Sequence, residues 1–259
     1  MAKIGLNNFR YFELTESDDG GAIYGAAKKP GKAVSCSVEV TASDAKLYAD
    51  DAVAESDSGF SSGTVTMTLD ENDIPTQAAL LGHTVEDGLM IRSTSDTAPY
   101  VGLGRIVTKM VGGVKKYEVE FLNKVQFSEP SQDNDTRGED LEFGTPEIEG
   151  TVMTLDNGNW SWAKSFSSKQ DALNYLISVG SHYTITYDKN TGTGNPPAAA
   201  VVAEGDSITV LPGQGAMIAP SGKTFGGWVT TAAGTTAITE PYTPTGDATL
   251  YALWETSGT

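Results

Sequence analysis

Apolar and polar positions alternate most clearly between residues 99 and 127. In 116–127, Tyr117, Val119, Phe121, Val125 and Phe127 fall on one side, and only Asn123 interrupts the row. Lys116, Glu118, Glu120, Lys124 and Gln126 fall on the other side, with Leu122 as its one apolar member. Side chains of a strand point to alternate faces, so the pattern predicts a long strand with one buried side. Gly112-Gly113 supplies a two-residue turn that tolerates positive φ, and 101–111 is predicted to fold back as the partner strand. Gly102 and Gly104 share a face of that partner and are expected to mark a bulge or a close approach by another backbone. A slip of one residue would expose Phe121 and Phe127 together, so the register is expected to be firm.

The rest of the chain reads as more strands and two helices. Ile4, Leu6, Phe9, Tyr11, Phe12 and Leu14 predict an N-terminal segment and strand, ended by Ser17-Asp18-Asp19-Gly20-Gly21. Val34, Cys36, Val38 and Val40 alternate in 32–41, and 43–48 is read as a continuation of that strand. Residues 49–63, with Asp50, Asp51, Glu55 and Phe60, have no apolar period and are predicted to be a long acidic loop. Val65, Met67 and Leu69 then mark a strand over 63–69. Asn72-Asp73-Ile74-Pro75 has the cap and early proline of a helix start; Ile74, Ala78 and Leu81 would share its face, and Gly82 would end it. A turn at 86–88 precedes a short strand at 89–93. A polar loop over 129–140 is followed by strands at 142–143 and 147–155, and by a turn before Trp160 and Trp162. Ser168 is placed to cap a helix over 168–179 with Leu173, Leu176 and Ile177 on its buried face. Beyond it, Tyr183, Ile185 and Tyr187 alternate, as do Ile208 and Val210, and Leu250, Ala252 and Trp254; Phe225, Trp228 and Trp254 are large enough to form a small core.

Composition divides the chain. Residues 1–180 hold 15 Lys/Arg and 28 Asp/Glu, a net of −13, and the remainder holds 2 and 6, a net of −4. The second part is rich in Gly, Ala, Thr and Pro, so a boundary is placed at about 180–183, giving domains 1–180 and 181–259. A net charge of −17 argues against a nucleic-acid-binding surface. Cys36 is the one cysteine, so no internal disulfide forms and zinc-finger spacing is absent. No apolar run approaches the roughly 20 residues that cross a bilayer. The first residues lack a secretory apolar segment, so synthesis and use without Sec export are expected.

Several short motifs look like chemistry. Gly59-Phe60-Ser61-Ser62-Gly63 matches the Gly-x-Ser-x-Gly elbow, which needs a strand before the serine and a helix after it; here a polar loop and a strand are predicted instead. Asp133-Asn134-Asp135 opens like a calcium loop, but Arg137 takes a ligand position and Gly144 stands where the closing glutamate belongs. Gly102-x-Gly104 lacks the third glycine and the helix of a dinucleotide site. His83 and His182 are read as a helix-end and a linker residue. No catalytic, metal-binding or cofactor-binding constellation is expected.

The segments MAKIGLNNFRYFEL, DAKLYADDAVAESDSGFSSGTVT, DTAPYVGLGRIVTKMVGGVKKYEVEFLNKVQFSEP and GEDLEFGTPEIEGTVM resemble, in this order, major tail proteins of long-tailed bacteriophages over about residues 1–180. The resemblance implies a mainly β subunit, a tail-tube β-sandwich or barrel with a flanking helix. It implies six-fold rings stacked into a tube through which DNA passes without sequence-specific binding. Implied partners are further copies of the chain and tail terminator, tape measure and distal tail proteins; the implied location is the virion, after assembly in the host cytoplasm. On that reading, the 49–63 loop with Asp50, Asp51, Glu55 and Phe60, and the N-terminal segment with Phe9 and Tyr11, are expected to reach neighbouring subunits. Glu118, Glu120, Asp133, Asp135 and Glu139 are candidates to line the channel. Residues 183–254, with YTITYDKNTGTG, EGDSITVLPGQG, GKTFGGWVTTAAGTT and GDATLYALW, resemble the repeat of Listeria and Bacteroides surface proteins. That resemblance implies a small β-grasp-like domain, and one that decorates the tail surface with weak glycan contact. A bacterial surface adhesin is the alternative, and a serine hydrolase resting on Ser61 a third.

Overall fold

The computed structural model describes residues 2–17, 21–49, 52–71, 73–130 and 147–256, with the backbone alone at residue 2 and over 44–49 and 52–58. The chain is mainly β and divides into two compact units, Met1–Leu176 and Ile177–Thr259.

The first unit contains β1 (Ala2–Glu16), β2 (Ala22–Tyr24), β3 (Ala33–Ala49), β4 (Ala52–Leu69), α1 (Ile74–Leu81), β5 (Thr84–Glu86), β6 (Leu89–Ile91), β7 (Tyr100–Val111), β8 (Val114–Phe127), β9 (Glu147–Met153) and β10 (Ser161–Phe166). Helix α2 (Lys169–Ile177) follows, and its last residue, Ile177, is the first of the second unit. The main sheet has the order β2-β1-β7-β8-β9-β4-β3, antiparallel at every step. β10 pairs with 117–122 of β8, beside the stretch that β9 takes at 124–127. β1 and β3 are far apart in this order yet touch, so the sheet curls on itself. β5 and β6 form a separate hairpin.

The β7–β8 turn has φ of 58° at Gly112 and 81° at Gly113, the two successive left-handed residues that this tight connection requires. The single buried row expected along β8 is corrected. Val101 pairs with Val125 but Leu103 pairs with Leu122, so β8 spends one extra residue here, a β-bulge. A bulge reverses which face each later residue takes. Val125 and Phe127 therefore join Leu122, Leu103 and Val101 in one core with Phe9, Met67 and Ile148. Phe121 points to the opposite face, where its ring stacks on Trp162 (4.9 Å, 12°) and meets Phe12 and Tyr24. Asn123 sits in the bulge at 5% exposure. Its N–H donates to Trp160 O (2.8 Å) and its carbonyl accepts from Tyr24 Oη (2.9 Å), so the ladder's loss there is made good. Gly102 and Gly104 are approached by side chains rather than backbone: a Cβ on Gly102 would lie 2.6 Å from both Phe121 Cζ and Tyr24 Cε1, and one on Gly104 would collide with Leu176 of α2.

Asp73 caps α1 by accepting from Thr76 N–H (3.1 Å), Pro75 lies in its first turn, and Gly82 closes it in the left-handed conformation. Its buried face carries Thr76, Ala78, Leu80 and Leu81; Ile74, expected on that face, is 42% exposed. A helix of two turns offers one narrow contact stripe, and Leu80 rather than Ile74 points into the core. Ser168 Oγ accepts from Gln170 N–H (3.2 Å) at the start of α2, which buries Ala172 and Leu176. Leu173 is only half-buried.

The second unit has β11 (His182–Asp188), β12 (Thr193–Gly194), β13 (Ala200–Ala203), β14 (Met217–Ile218), β15 (Lys223–Val229) and β16 (Ala248–Thr256). Its four-stranded sheet runs β13-β11-β16-β15 with a parallel β11–β16 pair at the centre, and β12 and β14 pair separately. Ile185, Tyr187, Trp228, Leu250 and Trp254 are buried together, with Phe225 packed against them. Both indole N–H groups are satisfied: Trp228 donates to Pro212 O (2.6 Å) and Trp254 to Lys189 O (3.0 Å). The strand expected at Ile208 and Val210 is reduced to one bridge, Ile208 with Tyr242, and Val210 is 70% exposed. After β11 the chain turns at Asn190 (φ 53°), whose side-chain amide donates to Ala232 O and Ala252 O.

Candidate functional site

Within the loop predicted over 49–63, residues 49 and 52–63 are instead strand. β3 and β4 stay paired from Ala33–Leu69 down to Ala49–Ala52, whereas β9 covers β4 only at 63–68. Ladders need backbone groups, not an apolar period, so Ser, Asp and Ala pair here too, despite their lower strand preference. Between the Ala42–Phe60 and Ala49–Ala52 pairs the two strands have no third partner among the described residues. They form a two-stranded arm, an element only marginally stable by itself in water. Asp50 and Asp51 lie outside the described residues, and only the backbone of Glu55 is described. Phe60, at the arm's base, stacks on Trp160 (4.6 Å, 5°) and so is spent on an internal contact.

Phe9 and Tyr11, expected to reach neighbouring subunits, are corrected to core residues at 2% and 4% exposure. Their strand, β1, is held between β2 and β7 and turns both rings inward. Burial, then the nearby Glu13, pushes the Tyr11 phenol up to about 12.

Glu118 and Glu120 do not stand as free carboxylates. Glu120 Oε2 accepts from Arg105 Nε (3.0 Å) and Nη2 (2.7 Å), and its other oxygen lies 3.4 Å from Lys3 Nζ. Glu118 pairs with Lys109 and accepts from Ser165 Oγ (3.4 Å). Arg105 Nη1 lies 3.0 Å from Cys36 Sγ, whose thiol is pushed up by burial more than the arginine lowers it. Asp133, Asp135 and Glu139 lie outside the described residues, as does the calcium-like loop. Burial raises the Glu120 pKa, but hydrogen bonding and charge from Arg105 and Lys3 outweigh it, so the net direction is down from 4.5. A carboxylate depressed on folding stabilises above its unfolded pKa and loses that contribution as pH falls through the folded value. Glu120→Gln is therefore expected to cost about 1–2 kcal/mol at pH 7, the range for a hydrogen bond to a charge discounted for partial exposure. The difference from wild type should shrink below about pH 4.5 in urea unfolding at a series of pH values; a cost that does not change with pH would place Glu120's role in packing rather than charge.

Other chemistry-bearing residues are dispersed. Ser61 lies inside β4, so the strand–serine–helix turn of a nucleophile elbow is not formed. His83 follows α1 and its two ring nitrogens face two carboxylates: Nδ1 lies 2.7 Å from Asp96 Oδ2, and Nε2 lies 2.5 Å from Glu129 Oε1 outside hydrogen-bond geometry. Asp96 is held below the usual carboxylate range, first by the Ser93 N–H and then by His83. This ties the helix end to the exits of β6 and β8. His182 opens β11, with Nδ1 2.8 Å from Gly180 O. A cleft of about 530 Å3 opens at the irregularity of β1, where Asn8 has φ of 54°, and is lined by Arg10, Lys29, Lys32 and Asp73. No helix among the described residues is long and apolar enough to cross a membrane.

No curated protein matches the chain. Residues 183–253, nearly all of the second unit, match the Listeria-Bacteroides repeat domain, and the chain carries one such domain there.

Proposed function

We propose that the chain is a major tail protein of a long-tailed bacteriophage, a non-catalytic virion protein that self-assembles as stacked six-fold rings into the tail tube. The observation that carries this reading is the two-stranded arm, an extended element with no third strand in its own chain among the described residues. Packing against neighbouring copies would supply what an isolated hairpin lacks. The curled antiparallel sheet and α2 are what a tail-tube β-sandwich or barrel with a flanking helix requires, and four segments of the first unit, from MAKIGLNNFRYFEL to GEDLEFGTPEIEGTVM, resemble that family. DNA passes through the lumen without sequence-specific contact. Because Glu118 and Glu120 are already ion-paired, a repelling negative lumen draws on other carboxylates. Tail terminator, tape measure and distal tail proteins are its further partners on this reading, and the protein is assembled in the host cytoplasm.

The second unit decorates the outer surface as a β-grasp-like module. Its first and last strands lie parallel at the sheet centre, the order expected of such a fold, although no helix follows Ile177 among the described residues. Its repeat domain also favours a second reading, a cell-surface adhesin or glycan-binding module.

Electron microscopy of the purified chain separates the two. Tubes of regular ring spacing are expected, and monomers at every concentration would reject assembly. A chain ending at Gly180 should form tubes of the same spacing with a thinner outline. A folded but non-assembling truncation would make the repeat domain part of the tube wall.

A further inference from the structure

Positive charge collects on one face of the first unit's sheet. Lys3 is opposite Lys109, and Lys109 is opposite Lys116, so three lysines on adjacent strands form one row across it. Arg105, Glu118 and Glu120 share that face, because residues paired across a ladder, and residues two apart on a strand, point the same way. Four cations thus meet two carboxylates there. Glu120 is taken by Arg105 and Lys3, and Glu118 by Lys109, which also lies 3.8 Å from Glu120 Oε1. Lys116 makes no ion pair among the described residues, although it is half-buried and directly opposite another lysine. Like charges so opposed destabilise a ladder. On a chain of net charge −17 this local surplus of cations runs against the composition.

A cleft of about 490 Å3 opens at the unpaired lysine. Lys109, Lys116 and Glu118 line it with Ser165 and Ser167, and Val111 and Phe166 supply its apolar wall. Its volume lies within the roughly 300–1,000 Å3 of small-molecule sites. β10 brings in the serines: Ser165 is opposite Glu118, so its hydroxyl stands on the lysine side of the sheet, where it donates to Glu118 Oε2 (3.4 Å). Glu118 serves Lys109, and no second carboxylate among the described residues serves Lys116. Ammonium groups only donate and hydroxyls donate when asked, so the donors gathered here call for an acceptor that carries negative charge.

We propose that this cleft binds a phosphate group, whose oxygens accept from Lys116, Lys109 and the hydroxyls of Ser165 and Ser167. A phosphate offers three strong acceptor oxygens and more than one negative charge, so it can join both lysines at once. Its presence offsets the Lys109–Lys116 repulsion and stabilises the β7–β8 end of the sheet in proportion to occupancy. The site lies within one chain and does not depend on self-assembly. Free phosphate and the phosphate group of a small organic molecule present the same chemistry to it.

The test is equilibrium dialysis of the full chain against labelled inorganic phosphate, with chloride holding the ionic strength constant. Saturable binding is expected, with slower hydrogen exchange at the amides of 114–120. Lys116→Gln should weaken binding about tenfold, the effect of losing one hydrogen bond to a charged group. Because it also removes a repulsion, that variant is expected to fold as well as wild type in chloride. Lys115→Gln, on the other face of β8, should bind as wild type does. Glu118→Gln removes the carboxylate that competes for Lys109 and should tighten binding. Phenyl phosphate distinguishes the two sources: tighter binding than inorganic phosphate assigns Val111 and Phe166 to the body of an organic ligand, and equal binding assigns the cleft to the free anion. Uptake that does not saturate, or that is the same in wild type and a folded Lys116→Gln chain, would overturn the site.

Discussion

A chain in which residues 45–57 are replaced by Asn-Gly is expected to fold normally and to build no tubes. The replacement joins Asp44 to Ser58, which are already opposite each other in the β3–β4 ladder, through a dipeptide suited to a tight hairpin turn. Nothing in the first core is removed: β9 first meets β4 at Gly63, and Val65, Met67 and Leu69 keep their places. Stability should stay within about 1 kcal/mol of wild type, as for changes away from a core. Assembly should fall below detection, because the element proposed to reach a neighbour is gone. Sedimentation velocity with thermal unfolding measures both quantities on one sample. Tubes of ordinary spacing from the shortened chain would sink the arm's role.

The largest effect on stability is expected at Phe121. Its ring stacks on Trp162 at 4.9 Å and meets Tyr24 at 5.1 Å and Phe12 at 5.4 Å. Phe121→Ala should cost about 3–5 kcal/mol, the usual range for truncating a buried aromatic residue. Gly102→Ala attacks the same cluster from the backbone, since the new methyl would press on Phe121 and Tyr24 together. Overpacking of this kind costs about 1–3 kcal/mol. The two changes should be non-additive, because removing the Phe121 ring leaves room for the methyl. Hydrogen exchange at the β7 and β8 amides reads the first unit alone. A Gly102→Ala chain with unchanged protection would mean that the rings yield without cost and that the glycine is not needed for their seating.

What could be read from the sequence is what local chemistry dictates. Gly112-Gly113 announced its hairpin because two successive left-handed residues between alternating strands suit a tight turn and little else. Asp73, Pro75 and Gly82 announced α1 because caps act within a few residues of themselves. The arm was missed because Ser, Asp and Ala carry no face preference, and the pairing that makes them strand is supplied by β3 opposite. The bulge at Asn123 left a visible mark, a polar residue in an apolar row, but its sign was hidden: the residues after it keep alternating while serving the other core. Burial of Phe9 and Tyr11 depends on β1 lying between β2 and β7, and the ion pairing of Glu118 and Glu120 on Lys3, Arg105 and Lys109 being brought onto one sheet face, so neither is visible in local sequence. The lysine row has the same origin, with Lys3 and Lys109 adjacent only once β1 lies beside β7.

The position of β9 sets a timetable. Among the described residues β4 is hydrogen-bonded to the main sheet through β9, which the ribosome delivers about 80 residues after β4. Pairings across such a separation must first meet the entropy of closing the intervening loop, and they form slowly. Until then the hairpin that carries the arm is tethered but not stitched in. A nascent chain thus holds its arm on a loose base and cannot present it rigidly to a neighbour. A chain stopped before residue 147 lacks β9 and is expected to withhold the arm. Delivery of β9, rather than of the arm itself, becomes the condition for joining other copies.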